Sequence, residues 1–124
     1  MHQKIFNRFV KHIVNKCIKT LITKALNNPG YSSTTDRLSH FKYAGEVQNT
    51  TPERACLGMA VKHFISIREM LYSLDNPSNI KNINKEIVDE KMGDYINYMI
   101  FIWALLYERI EEFEEISGEH KHGN

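Results

Sequence analysis

The sequence has little cysteine, little proline and no long hydrophobic run. Its two cysteines, Cys17 and Cys56, lie among apolar residues at helical spacing, so we expect free thiols and no disulfide. The longest apolar run, between Asp94 and Glu108, contains 13 residues, whereas a membrane-spanning helix needs about 20. The N-terminus lacks the continuous apolar segment of a secretion signal. We therefore expect a cytoplasmic protein with no membrane partner.

An excess of charge of one sign is also absent. Sixteen basic residues are balanced by 15 acidic ones, and the formal net charge is +1. No overall field therefore attracts nucleic acid. The charges are segregated, because residues 1–24 are basic without an acid and the C-terminal end is acidic. These ends could attract one another within one molecule or between subunits, or could simply be solvated helix faces.

The 124 residues, 42% of them hydrophobic, fit one domain, which we assign to residues 1–117 with a disordered tail at 118–124. Apolar residues recur at steps of three and four in segments 5–26, 52–74 and 85–116, which predicts three long helices. Thr51, followed by Pro52, and Asn84 are expected to cap the second and third of these.

A shorter helix is predicted up to about Gln48, with Thr34 or Thr35 as its cap. No segment alternates as a strand would. The fold class is therefore all-α, a four-helix bundle-like domain with three long helices and one short helix. Residues 95–107 of the last helix are apolar in every direction, so this helix should be central. An apolar helix of this length in so small a domain also predicts self-association, as a homodimer or a higher homo-oligomer.

Four polar residues form one row on the last helix, at steps of four, four and three: Glu86, Glu90, Asp94 and Asn97. Carboxylates one turn apart can share a divalent metal, so Glu86, Glu90 and Asp94 are candidate Mg²⁺ ligands. Alternatively, the acids are exposed and interact favourably with the helix dipole. Asp94 and Asn97 enter the apolar part of the helix, where an unpaired carboxylate is costly.

His63 lies inside the apolar stripe of the preceding helix, and it is the natural partner of Asp94 if the two helices pack side by side. Such a pair could face a pocket, with Lys62 nearby for phosphate. The alternative is a hydrogen-bonded core histidine.

A loop rich in hydroxyl groups precedes the short helix and includes Tyr31, Ser33, Asp36 and Arg37. A loop of this composition at a helix N-terminus could hold a phosphate-bearing ligand. Turn formation and helix capping explain the same residues equally well.

Several short motifs occur in a fixed order: a loop of the type Asn-x-x-Gly/Tyr-Ser at 28–33 (x, any residue), Asp36-Arg37-Leu38, Phe41-Lys42, Thr51-Pro52-Glu53, Lys62-His63 with Ser66, Glu90-Lys91, Asp94 and Asn97-Tyr98. This order resembles a family of small all-α phage and prophage proteins. That family is related to the nucleotide modification associated domains and, more distantly, to MazG-like pyrophosphohydrolases.

The resemblance implies a helical bundle in a bacterial host, oligomeric, and linked to phage nucleotide metabolism or counter-defence. MazG-like enzymes hold Mg²⁺ with two pairs of acids from adjacent helices. Here Lys91 replaces one expected acid, and Lys62 and His63 replace the pair on the preceding helix. A four-carboxylate centre is therefore not available in its usual form.

Three functions are consistent with these features. The first is binding of a nucleotide or nucleotide-like phosphorylated ligand, without a complete hydrolase centre, by residues from the loop and the two long helices: Tyr31, Ser33, Asp36, Arg37, Lys62, His63, Asp94 and Asn97. The second is Mg²⁺-dependent, MazG-like pyrophosphohydrolysis. The third is a protein-interaction module in which the basic first helix or the acidic C-terminal end binds a host protein.

Overall fold

The computed structural model describes residues 1–23 and 36–122. Within these ranges the chain forms four α-helices and no strand: α1 (Gln3–Ile18), α2 (Ser39–Val47), α3 (Pro52–Leu74) and α4 (Lys85–His122). A π-helical turn (Lys19–Thr23) continues α1, and a 3-10 turn (Ile80–Asn82) lies between α3 and α4. The all-α, bundle-like fold class is thus confirmed. Among the helices of these ranges, none is long and apolar enough to span a bilayer.

The two helix starts predicted from capping residues are confirmed. The Thr51 hydroxyl accepts a hydrogen bond from the Arg54 backbone N–H at 3.3 Å, directly before Pro52 at the start of α3. The Asn84 side chain accepts one from the Ile87 N–H at 2.9 Å at the start of α4. Each cap satisfies a backbone donor that has no partner within its own helix.

Other helix ends differ from the predictions. The predicted caps Thr34 and Thr35 lie outside the described residues, and α2 begins only at Ser39, after a turn in which the Asp36 carboxylate accepts from the Leu38 N–H at 2.9 Å. The predicted stop at 117–118 is wrong, since α4 continues to His122. A glycine ends a helix chiefly by adopting a positive φ. No described glycine has a positive φ, and Gly118 accordingly continues the helix.

The core lies where α2, α3 and α4 meet. Phe41 of α2 is buried against Cys56 of α3 and Leu105 of α4, and its ring centroid lies 5.1 Å from that of Phe101. Burial raises the pKa of the Cys56 thiol to about 11. Both cysteines are free, as predicted.

The prediction that residues 95–107 of α4 are surrounded on most sides is wrong for the C-terminal end of that stretch. α4 packs against α1 and α3, and Asn97 and Leu105 are buried. Trp103 is nevertheless 63% exposed and Phe113 is 70% exposed. The physical reason is length: 38 residues of helix extend about 57 Å, farther than the other helices can cover.

Candidate ligand-binding site

A cavity of about 530 Å³ lies between α1 and the N-terminal half of α4. Its volume is within the range of about 300 to 1,000 Å³ that is usual for small-molecule sites. One wall comes from α1 and the π-helical turn: Phe9, Ile13, Lys16, Cys17, Lys19 and Thr20. The other comes from α4: Glu86, Val88, Asp89, Glu90, Met92, Gly93, Asp94, Ile96 and Asn97. The walls are mainly apolar, with polar groups concentrated on α4.

An ion pair between Lys16 of α1 and Asp89 of α4 joins the two walls. The hydrogen bond from Lys16 lowers the pKa of the Asp89 carboxyl below its ordinary value. α1 contains no buried residue, and it contacts α4. The Lys16–Asp89 ion pair and the side chains of the cavity wall belong to this contact.

Asp94 lies at the junction of the cavity with α3. Its Oδ2 is 3.9 Å from His63 Nδ1, the distance of an ion pair when the imidazole is protonated. The His63 ring lies against Tyr98, with 4.7 Å between the ring centroids. Asp94 keeps 47% of its side chain exposed, whereas His63 keeps 18%. The expected adjacency of Asp94 and His63 is therefore observed, and Asp94 remains accessible to a ligand.

Asn97 is the most unusual polar residue of the cavity wall. It is only 8% exposed, and its Oδ1 atom is buried without a hydrogen-bond partner. A buried acceptor left unpaired costs about 1 to 3 kcal/mol, so such groups are rare in folded proteins. Because the Oδ1 atom itself has almost no accessible surface, a ligand donor in the cavity would reach it only if the Asn97 side chain turned towards the cavity.

The charge of the cavity is unbalanced. Four carboxylates of α4 line it against two lysines: Glu86, Asp89, Glu90 and Asp94 against Lys16 and Lys19. One of these lysines already pairs with one of the carboxylates. The wall near Asp94 and Asn97 therefore presents acceptors and negative charge, which favour a ligand that offers donors there.

Asp36 and Arg37, the predicted loop residues that the structure describes, do not line this cavity. Tyr31 and Ser33 lie outside the described residues. The Asp36 carboxylate accepts from Lys42 Nζ at 2.7 Å, and Arg37 Nη1 donates to the Leu21 carbonyl at 2.8 Å. Asp36 and Arg37 thus hold the start of α2 against its surroundings, which agrees with the capping interpretation.

Lys62 is exposed on α3 and is also absent from the cavity wall. Of the six predicted binding residues that the structure describes, only Asp94 and Asn97 line the cavity, with His63 directly behind Asp94.

The predicted metal ligands Glu86, Glu90 and Asp94 all line the cavity, but they do not converge. In the described part of the chain, no three His, Cys, Asp or Glu side chains lie close enough together to hold a metal ion. The reason is spacing, because eight residues of helix separate the outer two acids by about 12 Å. A divalent ion here would need further oxygen atoms from its ligand, and Mg²⁺ binding stays a prediction.

The sequence-based prediction missed the whole α1 wall. Phe9, Ile13 and Cys17 belong to a regular apolar stripe, which is typical of a helix packed into a core. The only local signal was Lys16, a charged residue next to that stripe. Which part of α4 the stripe faces is decided by tertiary packing, which the local pattern does not encode.

Comparison with known proteins finds no matching family model, no matching curated protein and no matching solved structure, so the resemblance to small phage proteins stays a prediction.

Proposed function

We propose that this chain binds a nucleotide-like small molecule in the cavity between α1 and α4 and does not hydrolyse it. The observation that carries the proposal is the unpartnered Oδ1 of Asn97, 92% buried at the wall of an otherwise largely apolar cavity. A group of this kind lowers the stability of the free protein, and a ligand that donates to it removes that cost.

A nucleobase fits the chemistry of the wall. Its flat faces are apolar enough to lie against Phe9 and Ile13, and its edge carries N–H groups. Asn97 Oδ1 and the Asp94 carboxylate are both acceptors. They therefore favour bases with an exocyclic amino group, namely adenine, cytosine and guanine, over uracil.

The charge of the cavity limits the phosphate content of the ligand. Lys19 is the lysine not engaged by Asp89, and it can meet one phosphate, whereas Glu86 and Glu90 repel further ones. We therefore expect a nucleoside or a nucleoside monophosphate to bind more tightly than a triphosphate. Because the acids do not converge, binding without turnover is the function that the geometry favours.

Isothermal titration calorimetry tests the proposal, with the four ribonucleosides and their mono- and triphosphates as probes. Asn97→Leu should weaken the tightest complex by about 10- to 100-fold, since the ligand would bury an unpaired donor. Asp94→Asn should weaken it as well. Asp75→Asn, an acid removed from the exposed end of α3, is the control and should leave the affinity unchanged. No heat of binding across the panel would overturn the proposal.

The same samples test the competing hydrolase. Triphosphates are incubated with Mg²⁺ or Mn²⁺, and pyrophosphate release is measured. Release that disappears in Asp94→Asn would replace the binding proposal with a catalytic one.

A further inference from the structure

The molecule exposes far more surface than its mass requires. Its accessible area is 10004 Å², whereas a compact monomer of 14.5 kDa has roughly 6,900 Å². The excess, roughly 3,000 Å², exceeds the approximately 800 Å² per partner that a standard protein interface buries. The chain therefore has enough uncovered surface for a stable dimer.

One part of this surface is an apolar stripe on α1, which we call the α1 stripe: Phe6, Val10, Val14 and Ile18. These residues follow one another at steps of four, and each is between 41% and 52% exposed. Lys11 lies beside the stripe and Lys4 lies two residues before its N-terminal end, and both are exposed as well. The α1 stripe is next to the cavity-facing side of the helix, not part of it.

A second stripe lies on the C-terminal half of α4, and we call it the distal α4 stripe: Trp103, Leu106, Tyr107, Ile110 and Phe113. Its members are between 43% and 70% exposed, and they share an arc of roughly 120° on the helix. Glu111 and Glu114 follow Tyr107 and Ile110 by one turn each, so they border this stripe.

The two stripes match in length and in charge. From Phe6 to Ile18 the α1 stripe is roughly 18 Å long, and from Trp103 to Phe113 the distal α4 stripe is roughly 15 Å long. The first is bordered by lysines and the second by glutamates. In the described residues, none of these four charged side chains forms an ion pair within its own chain: Lys4, Lys11, Glu111 and Glu114.

We propose that the α1 stripe of one molecule packs on the distal α4 stripe of a second copy, and the reverse, in a twofold dimer. A twofold axis makes each contact occur twice, so that all exposed members of both stripes are covered. The opposite charges at the borders fix which surfaces meet and favour this pairing over like-with-like contacts.

The outer face of α3 is also apolar, with Leu57, Val61 and Phe64 exposed. Two exposed basic residues lie one turn from this face, Arg54 and Arg68, and Arg68 stacks on Tyr72. Charge alone therefore does not exclude this face as a partner of the distal α4 stripe. Dimerisation through α3 is the competing arrangement that the experiment must separate.

Light scattering coupled to size exclusion, followed by sedimentation equilibrium, measures the association at micromolar concentrations. Wild type should be a dimer. The pair Lys4→Glu and Lys11→Glu, or the pair Glu111→Lys and Glu114→Lys, should weaken it by about tenfold or more. Combining all four reversals should restore the dimer, because the charges are then exchanged and remain complementary.

Lys62→Glu with Lys81→Glu is the matched control, since it makes the same change in net charge away from both stripes and should leave the dimer intact. Far-ultraviolet circular dichroism establishes that each variant is helical. A monomeric wild type, a failure of the exchanged variant to dimerise, or dissociation by Leu57→Ser with no effect of the α1 and α4 reversals would overturn the proposal.

Discussion

Replacing Asn97 by leucine should stabilise the free protein while it weakens ligand binding. The side chain is 8% exposed and its Oδ1 has no partner. Leucine has a similar size and no polar atom to leave unpaired. The substitution therefore separates the two effects that an ordinary destabilising mutation would confound.

The magnitude follows from the unpaired acceptor, whose burial costs about 1 to 3 kcal/mol. Part of the gain is lost to imperfect packing of the leucine. We therefore expect an increase of about 1 to 2 kcal/mol in the free energy of unfolding, and of about 4 to 8 °C in Tm for a chain of this size. Asn15→Leu, on the exposed side of α1, is the control and should change stability by no more than about 0.5 kcal/mol.

Urea denaturation with and without the tightest-binding nucleoside measures both effects. Ligand at 100 times the wild-type Kd stabilises wild type by about 2.7 kcal/mol, whereas the leucine variant, with its Kd raised about 10- to 100-fold, should gain only about 0.4 to 1.4 kcal/mol. Adding ligand should therefore shift the stability difference between the two proteins in favour of wild type by about 1.3 to 2.3 kcal/mol. A leucine variant less stable than wild type in the absence of ligand would refute the reasoning, because the Asn97 amide would then be making a structural hydrogen bond.

Three further predictions concern other parts of the chain. Gly45→Ala should lower the free energy of unfolding in urea by about 1 to 2 kcal/mol, because a Cβ would lie 3.0 Å from backbone atoms of the following loop; Gly58→Ala, with nothing within 4 Å, should raise it by up to about 1 kcal/mol. The hydrogen bond from Lys42 lowers the pKa of Asp36 below its ordinary 3.8. This ion pair therefore stabilises the fold at neutral pH, and its contribution, at most about 1 kcal/mol, is lost as the pH falls through that lowered pKa. Lys42 also donates to Glu108, so Lys42→Met removes both contacts. The difference in unfolding free energy between wild type and Lys42→Met should shrink from pH 7 to pH 2, and a difference that is constant over this range would contradict a contribution from these carboxylates. Iodoacetamide should modify Cys17 of the native protein and leave Cys56, which is buried in the core, unmodified. Because Cys17 lines the cavity, peptide mass spectrometry should find it protected by saturating ligand. Equal labelling with and without ligand would contradict its place in the cavity wall.

The predictable part of the fold was the part determined locally. Thr51 and Asn84 act within one turn of their own helices, so their role follows from the sequence around them. Two features at the ends of helices were not predicted from the local sequence. Gly118 does not end α4 because it stays helical, and the π-helical turn after α1 has no signature in the apolar spacing.

The candidate site was predictable only in part, for a similar reason. His63 and Asp94 both lie on faces that point into the bundle, so their adjacency could be expected from two helical patterns alone. The opposite wall requires knowing that α1 packs against the N-terminal half of α4. The hydroxyl-rich loop suggested a phosphate site, yet Asp36 and Arg37 are used to hold α2.

The two proposals share α1, and hydrogen exchange can test both through its stability. α1 buries no residue within its own chain, and an isolated helix of 16 residues is only marginally stable. In dilute, ligand-free protein its amides should therefore exchange fastest among those of the four α-helices. If ligand binds only molecules in which α1 is folded and packed on α4, ligand at 100 times its Kd should slow exchange in α1 by about 100-fold.

Raising the protein concentration should slow the exchange of α1 independently, because the second copy covers its outer stripe. Asn97→Leu should reduce the response to ligand by about tenfold or more and keep the response to concentration, whereas Lys4→Glu with Lys11→Glu should keep the response to ligand and weaken the response to concentration. The two proposals therefore fail separately. Protection of α1 equal to that of α3 under all conditions would mean that α1 is already anchored within the free monomer, and neither ligand nor partner would be needed to hold it.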